Sequence, residues 1–410
     1  MKWVKGFLYL IILCLFLEVI KTVISKQQIN SSYFIATICI SLQFLFFTGY
    51  FIFLGFSVLF KRFSFKKKGL LSFWATLGAF FLLEVYCSWM LSHSQHIPSF
   101  LGKSVKYYYD YYNCPLIQYE ENASSYDPQL FYTLKPNARF RYFNREFDNA
   151  FAINSKGVRD DEKSLASPEI ICLGDSYAMG WGVDQEETFA QYLEKLSGMK
   201  TLNAAVSSYG TAREMIQLKR LDTAALKYLI IQYCYNDYPE NLNYISGKYE
   251  LPISDQSVYD SVVARQNFQK KYFPGKYGSL IGQVFLRKTI NKITPIFPLV
   301  VERERPFGDE GGQAEAFVKI LYNSPQIDFS KVRVIVTVLD SYEHLNNSFL
   351  KKVELIASQA PYKDHFAGNL QTLNMSGNLQ VNDFYNLDLH IRASGHKKVA
   401  HKIWQMINTE

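Results

Sequence analysis

The apolar positions along the chain change character part-way through. Up to about residue 92 they run in long stretches, Gly6 to Ile24, Tyr33 to Phe60 and Leu70 to Leu91. Each matches or exceeds the ~20 residues that cross the hydrocarbon core of a bilayer, so the pattern predicts three transmembrane helices. Beyond about residue 166 the apolar runs are short and alternate with helix-period segments. Ile170 to Leu173, Lys200 to Ala205, Tyr228 to Cys234 and Val332 to Leu339 read as strands. Helical spacing begins near Thr188 and returns at Thr211 to Leu221, Ala314 to Leu321, Glu343 to Ser358 and Ala393 to Ile407. Such alternation predicts an α/β domain, a parallel sheet flanked by helices.

Two regions follow neither rhythm. Residues 93 to 165 are rich in Tyr (Tyr107, Tyr108, Tyr109, Tyr111, Tyr112) and hold short strand-like pieces, Phe140 to Phe143 and Ala150 to Ile153. A turn follows at Asn154-Ser155-Lys156-Gly157. This reads as a small β-rich lead-in, its tyrosines either a platform for sugar rings or a packing face. Residues 240 to 325 are long for a loop inside a compact domain and read as an insertion capping the crevice of the sheet. The expected organisation is therefore a transmembrane anchor over 1–92, the lead-in over 93–165, and an α/β domain over 166–410.

Charge refines the membrane reading. Of the net charge of +7, Lys61, Arg62, Lys66, Lys67 and Lys68 cluster between the second and third spans. Positive loops stay cytoplasmic, which places Lys2 and Lys5 on the same side and everything from Ser92 onward outside the cytoplasm. Glu18, Lys21 and Glu84 interrupt the spans and must face neighbouring helices or an interface. No basic stripe interleaved with aromatics is present, so nucleic acid is not an expected partner. The six cysteines show no C-x-x-C spacing, which argues against a disulfide framework and a zinc site. The chemistry read below calls for neither a metal nor a cofactor.

That chemistry centres on Gly174-Asp175-Ser176, where the run Ile170 to Leu173 stops. A serine at the end of a buried strand is rigidly held yet exposed at the edge where open α/β sheets keep their ligand crevice. A hydroxyl nucleophile needs a base, and the base an orienting carboxylate. Among seven histidines, His390 stands out in Asp388-Leu389-His390, just before the final helix. His344, His365, His396 and His401 read as surface or packing residues. Donors for a developing oxyanion are offered by Asn236, at the end of the strand from Tyr228, and by the turn through Ser208 and Gly210. Asp175 reads as a brace for the nucleophile turn.

These blocks, Ser176 in G-D-S, the Ser208/Gly210 turn, Asn236 in N-D, and Asp388-His390 near the C-terminus, resemble the SGNH (GDSL) hydrolase superfamily over roughly residues 150 to 410. The lead-in Ile153 to Arg159 looks like that of bacterial members. The resemblance implies a flavodoxin-like parallel sheet, Ser176 as nucleophile, His390 as general base and acid, and Asp388 as its orienter. The oxyanion hole would combine the Ser176 N–H, Ser208 or Gly210, and Asn236. Ser208 stands at the usual oxyanion glycine position, and D-x-H replaces the D-x-x-H of many simple esterases. The shorter form is similar to that of cell-envelope polysaccharide O-acetylation proteins. Three functions are consistent with this: an extracytoplasmic esterase acting on an acylated glycan, an O-acyltransferase served by a membrane acyl-donor partner, and a silent assembly or glycan-binding protein.

Overall fold

The computed structural model describes residues 32–110, 116–293, 309–345 and 348–408, together with Leu17. The first predicted span, with Glu18 and Lys21, lies outside the described residues apart from Leu17. The chain divides into two compact units, Met1–Pro115 with Ser261–Val301, and Leu116–Asp260 with Glu302–Glu410.

In the first unit, α1 (Ser32–Leu59) and α2 (Phe65–Ser92) are long and apolar enough to cross a membrane. In α2, Ser72, Thr76 and Glu84 are buried beside Cys87, Met90 and Leu91, whereas Phe73, Trp74, Phe81 and Leu82 are exposed. Glu84 accepts hydrogen bonds from the Tyr272 hydroxyl (2.9 Å) and the Gly278 N–H (2.7 Å), which satisfies its carboxyl within the unit. Tyr108 and Tyr109 are fully buried, so this part of the tyrosine run packs and does not form a platform.

The expected cap takes a different form. Helix Lys276–Ile293, in the middle of the insertion, packs on α1 and α2. Ser279 bonds Ser41 at 2.7 Å, and Gly278 lies so close to α2 that a Cβ would come within 3.1 Å of the Glu84 backbone nitrogen. Small residues permit this approach of two helix backbones.

The second unit opens with two antiparallel hairpins, β1 (Ser124–Asp127) with β2 (Phe131–Leu134), and β3 (Arg139–Phe143) with β4 (Asp148–Ala152). The α/β core then runs β5 (Ile170–Leu173), α3 (Ser176–Met179), α4 (Phe189–Ser197), β6 (Thr201–Asn203), α5 (Thr211–Leu218), β7 (Tyr228–Tyr233) and α6 (Tyr238–Ser246). After the insertion come α7 (Glu310–Tyr322), β8 (Arg333–Val338), α8 (Phe349–Ala357), β9 (Leu370–Leu373) and α9 (Ala393–Asn408). The five strands are parallel in the order β6-β5-β7-β8-β9, with Cys172 opposite Asn203 on one side and Ile230 on the other. All of β5, and β7 and β8 beyond their first residues, are buried, which explains their uninterrupted apolar character.

This is the strand order of flavodoxin-like sheets, whose ligand crevice opens outside the carboxyl ends where the winding reverses. Here the reversal falls between β5 and β7, the strands that deliver Ser176 and Asn236. The helix expected from Glu343 begins instead at Phe349, and a single tight turn covers Tyr342–His344. The edge strand β9 was not part of the sequence expectation.

Candidate active site

The nucleophile turn is built by sterics. Gly174 sits at φ +147°, and a Cβ there would lie 2.6 Å from both Ala178 Cβ and Gln232 Oε1, so only glycine lets the chain turn this sharply. Asp175 caps α3 by accepting the Tyr177 N–H at 2.9 Å, while its own N–H donates to Gln232 Oε1 at 3.0 Å. Ser176 is the first residue of α3, and its N–H has no partner among the described residues. Behind this turn lies Arg159, fully buried, donating to the carbonyls of Met179, Gly180, Ala150 and Val183 and stacking 3.6 Å over Phe151.

Ser176 Oγ lies 2.8 Å from His390 Nε2, and His390 Nδ1 makes a short hydrogen bond to Asp388 Oδ1. An ionised Asp388 can only accept, so the pairing assigns the proton to Nδ1 and leaves Nε2 to accept from the serine hydroxyl. The D-x-H spacing reaches this geometry through Leu389, held at φ +67°. A left-handed residue between the two is unfavourable for leucine, and it turns both side chains to the same side. The Asp388 side chain is 1% exposed and that of His390 16%. Asp388 Oδ2 accepts from Asn144 Nδ2 (2.8 Å) and Trp181 Nε1 (3.2 Å), and the Trp181 ring stacks on His390 at 5.1 Å. Glu146 accepts three successive backbone N–H groups, from Asn386 at 3.0 Å and from Leu387 and Asp388 at 2.9 Å each.

The oxyanion candidates separate. Gly210 is removed: its N–H donates to Glu240 Oε1 at 3.1 Å, because Glu240, paired with Arg213, is drawn under the start of α5. Ser208 is exposed at φ +58°, and its N–H has no partner among the described residues. Its turn is braced from the lead-in, since Gln118 Nε2 donates to Ser208 Oγ at 3.0 Å and the Tyr132 hydroxyl to the Ser207 carbonyl at 2.8 Å. Asn236 lies exposed in the tight turn after β7. All three loops sit at the carboxyl edge of the sheet.

Burial governs the electrostatics. It raises Asp175 to about 6 and Asp160 to about 7, and lifts Glu214, on the buried side of α5, and Asp237, which accepts from the Thr211 hydroxyl at its start, well above the usual carboxylate range. All four side chains are buried, and Asp175 and Asp160 accept backbone N–H groups of the scaffold. Burial drives His396 the other way, down to about 3. His344 contacts Ser341 Oγ (2.8 Å) and buried Asp340 (3.5 Å), partners the sequence did not reveal. Among the described residues no acid, histidine or cysteine cluster could hold a metal ion. The sequence reading also missed Asn144, Glu146, Trp181, Gln232 and Gln118, which hold the site in place; no motif marks them.

No protein-family profile and no curated protein matches the chain. Among solved structures, a lipolytic protein of the G-D-S-L family from Desulfitobacterium hafniense is 11% identical, with a TM-score of 0.32, over 58% of this chain and 97% of its own. One from Veillonella parvula is 10% identical, with a TM-score of 0.31, over 59% and 98%. Likeness at that level carries no weight for function, which has to be read from the site itself.

Proposed function

We propose that the chain is a membrane-anchored, extracytoplasmic serine esterase of the SGNH type, acting on acyl esters, O-acetyl foremost, of a cell-envelope or secreted glycan. The observation that carries it is the continuous relay from Ser176 Oγ through His390 to a buried Asp388. In this reading His390 Nε2 takes the serine proton as Oγ attacks the ester carbonyl, and the imidazolium is held by Asp388. The Ser176 and Ser208 N–H groups and the Asn236 carboxamide receive the oxyanion. Collapse breaks the ester C–O bond, His390 returns its proton to the departing sugar oxygen, and water repeats the sequence to release the acid.

The glycan assignment rests on two supports, the predicted outward orientation of the α/β domain and the D-x-H form it shares with envelope O-acetylation proteins. The full-length protein in detergent should release acetate from p-nitrophenyl acetate and from an acetylated polysaccharide, and both activities should vanish in Ser176→Ala and His390→Ala. Equal turnover by Ser176→Ala would overturn the proposal. Acetyl transfer to an added glycan in preference to water would reassign the same residues to an acyltransferase, with a membrane partner as donor.

A further inference from the structure

We infer that Glu146, together with Asn144, is a positioning residue for the Asp388–His390 pair, and that the tip of the β3–β4 hairpin is a working part of the active site. The inference rests on the serine esterase reading and deepens it. The D-x-H loop lies between the turn Val381–Asp383 and α9; its base is closed by the Tyr385 N–H donating to the His390 carbonyl (2.9 Å) and by a bridge between Phe384 and Ile391, while residues 386 to 388 lead into a left-handed leucine. A carboxylate that collects the N–H groups of residues 386, 387 and 388 fixes three consecutive peptide planes at once. Donors bonded to an ionised acceptor make the stronger class of hydrogen bond. Glu146 is itself held, because Asn144 Oδ1 accepts the N–H groups of Glu146 (2.7 Å) and Phe147 (3.2 Å).

The Asn144 carboxamide thus has two tasks. Its oxygen shapes the hairpin tip that presents Glu146, and its nitrogen donates to Asp388 Oδ2 at 2.8 Å. With Trp181 it occupies the face of Asp388 turned away from the histidine, leaving Oδ1 to orient the imidazole. The arrangement explains why the hairpin belongs in the catalytic unit although it supplies no group to the reacting atoms. Glu146→Gln keeps the size of the side chain but replaces one acceptor oxygen by an NH₂ facing backbone N–H groups. The loop must then shift, and an ångström of displacement at reacting groups can cost about a hundredfold in rate.

The test is steady-state hydrolysis of p-nitrophenyl acetate by the full-length protein in detergent, comparing wild type, Glu146→Gln, Asn144→Ala and Glu162→Gln. Thermal midpoints establish that each variant is folded. Glu162 is a control from the same lead-in whose carboxylate, among the described residues, bonds only Ser155. The expected result is a kcat lowered about 10- to 100-fold in Glu146→Gln and about tenfold in Asn144→Ala, with KM within about twofold and with Glu162→Gln unchanged. A folded Glu146→Gln and a folded Asn144→Ala with wild-type kcat would overturn the inference alone. A folded wild type without Ser176-dependent turnover would instead overturn the esterase reading beneath it.

Discussion

Replacing His396 by asparagine isolates one buried titration and its effect on stability. His396 is fully buried in α9, its Nδ1 accepts the N–H of Phe189 (3.2 Å), and its ring stacks on Phe189. That N–H opens α4 and has no partner within the helix, so the neutral imidazole does structural work that the charged form cannot do. Burial, with help from Arg159, depresses its pKa from 6.5 to about 3. The unfolded chain takes up a proton near pH 6.5 and the folded chain does not. This contribution is therefore intact above pH 6.5 and is lost as the pH falls toward 3. Between pH 7 and pH 4.5 it amounts to roughly 2–3 kcal/mol.

His396→Asn places an amide oxygen where Nδ1 was and removes the titration, leaving a small void that costs about 1–2 kcal/mol at neutral pH. Urea unfolding of the full-length protein in detergent, followed by pulse proteolysis from pH 7.5 to 4.5, reads the difference. The variant should be the less stable at pH 7.5, with the gap closing or reversing by pH 4.5. Parallel curves across that range would refute the reasoning.

Three further outcomes follow from the same geometry. Arg159→Met should lower stability by about 3 kcal/mol or more, because four carbonyls, three of them in buried hydrogen bonds, lose their donor; a thermal midpoint close to wild type would contradict this. Leu389→Ile should cut kcat about tenfold or more, since a β-branched residue resists positive φ, whereas Leu389→Asn should stay near wild type; p-nitrophenyl acetate kinetics discriminate the two. Gly174→Ala should abolish turnover, because its methyl group collides with Ala178 and Gln232, and retained activity would show that the turn tolerates another shape.

What the sequence revealed and what it hid have physical causes. Buried strands such as β5 and β8 announce themselves because both faces must be apolar, and the serine at the end of β5 inherits its position from that strand. Asp388 and His390 were legible because their relation is local. Strand β9 was not, since Leu370-Gln371-Thr372-Leu373 is an edge strand with only two apolar residues. The roles of Asn144 and Glu146 depend on partners 240 or more positions away in the chain, and as residues of a polar turn they look like any turn former. Gly210 resembled an oxyanion donor until the fold brought Glu240 to its N–H. Middle residues of the insertion were assigned to a cap because weak periodicity says nothing about which unit a helix will join.

The central claim is that Ser176 is an activated nucleophile. Labelling of the full-length protein in detergent with a fluorophosphonate, followed by mass spectrometry, tests it directly. A single phosphonylated residue, Ser176, is expected, with labelling lost in Ser176→Ala and strongly slowed in His390→Ala. A folded protein that does not react, or that labels equally well without His390, would contradict it.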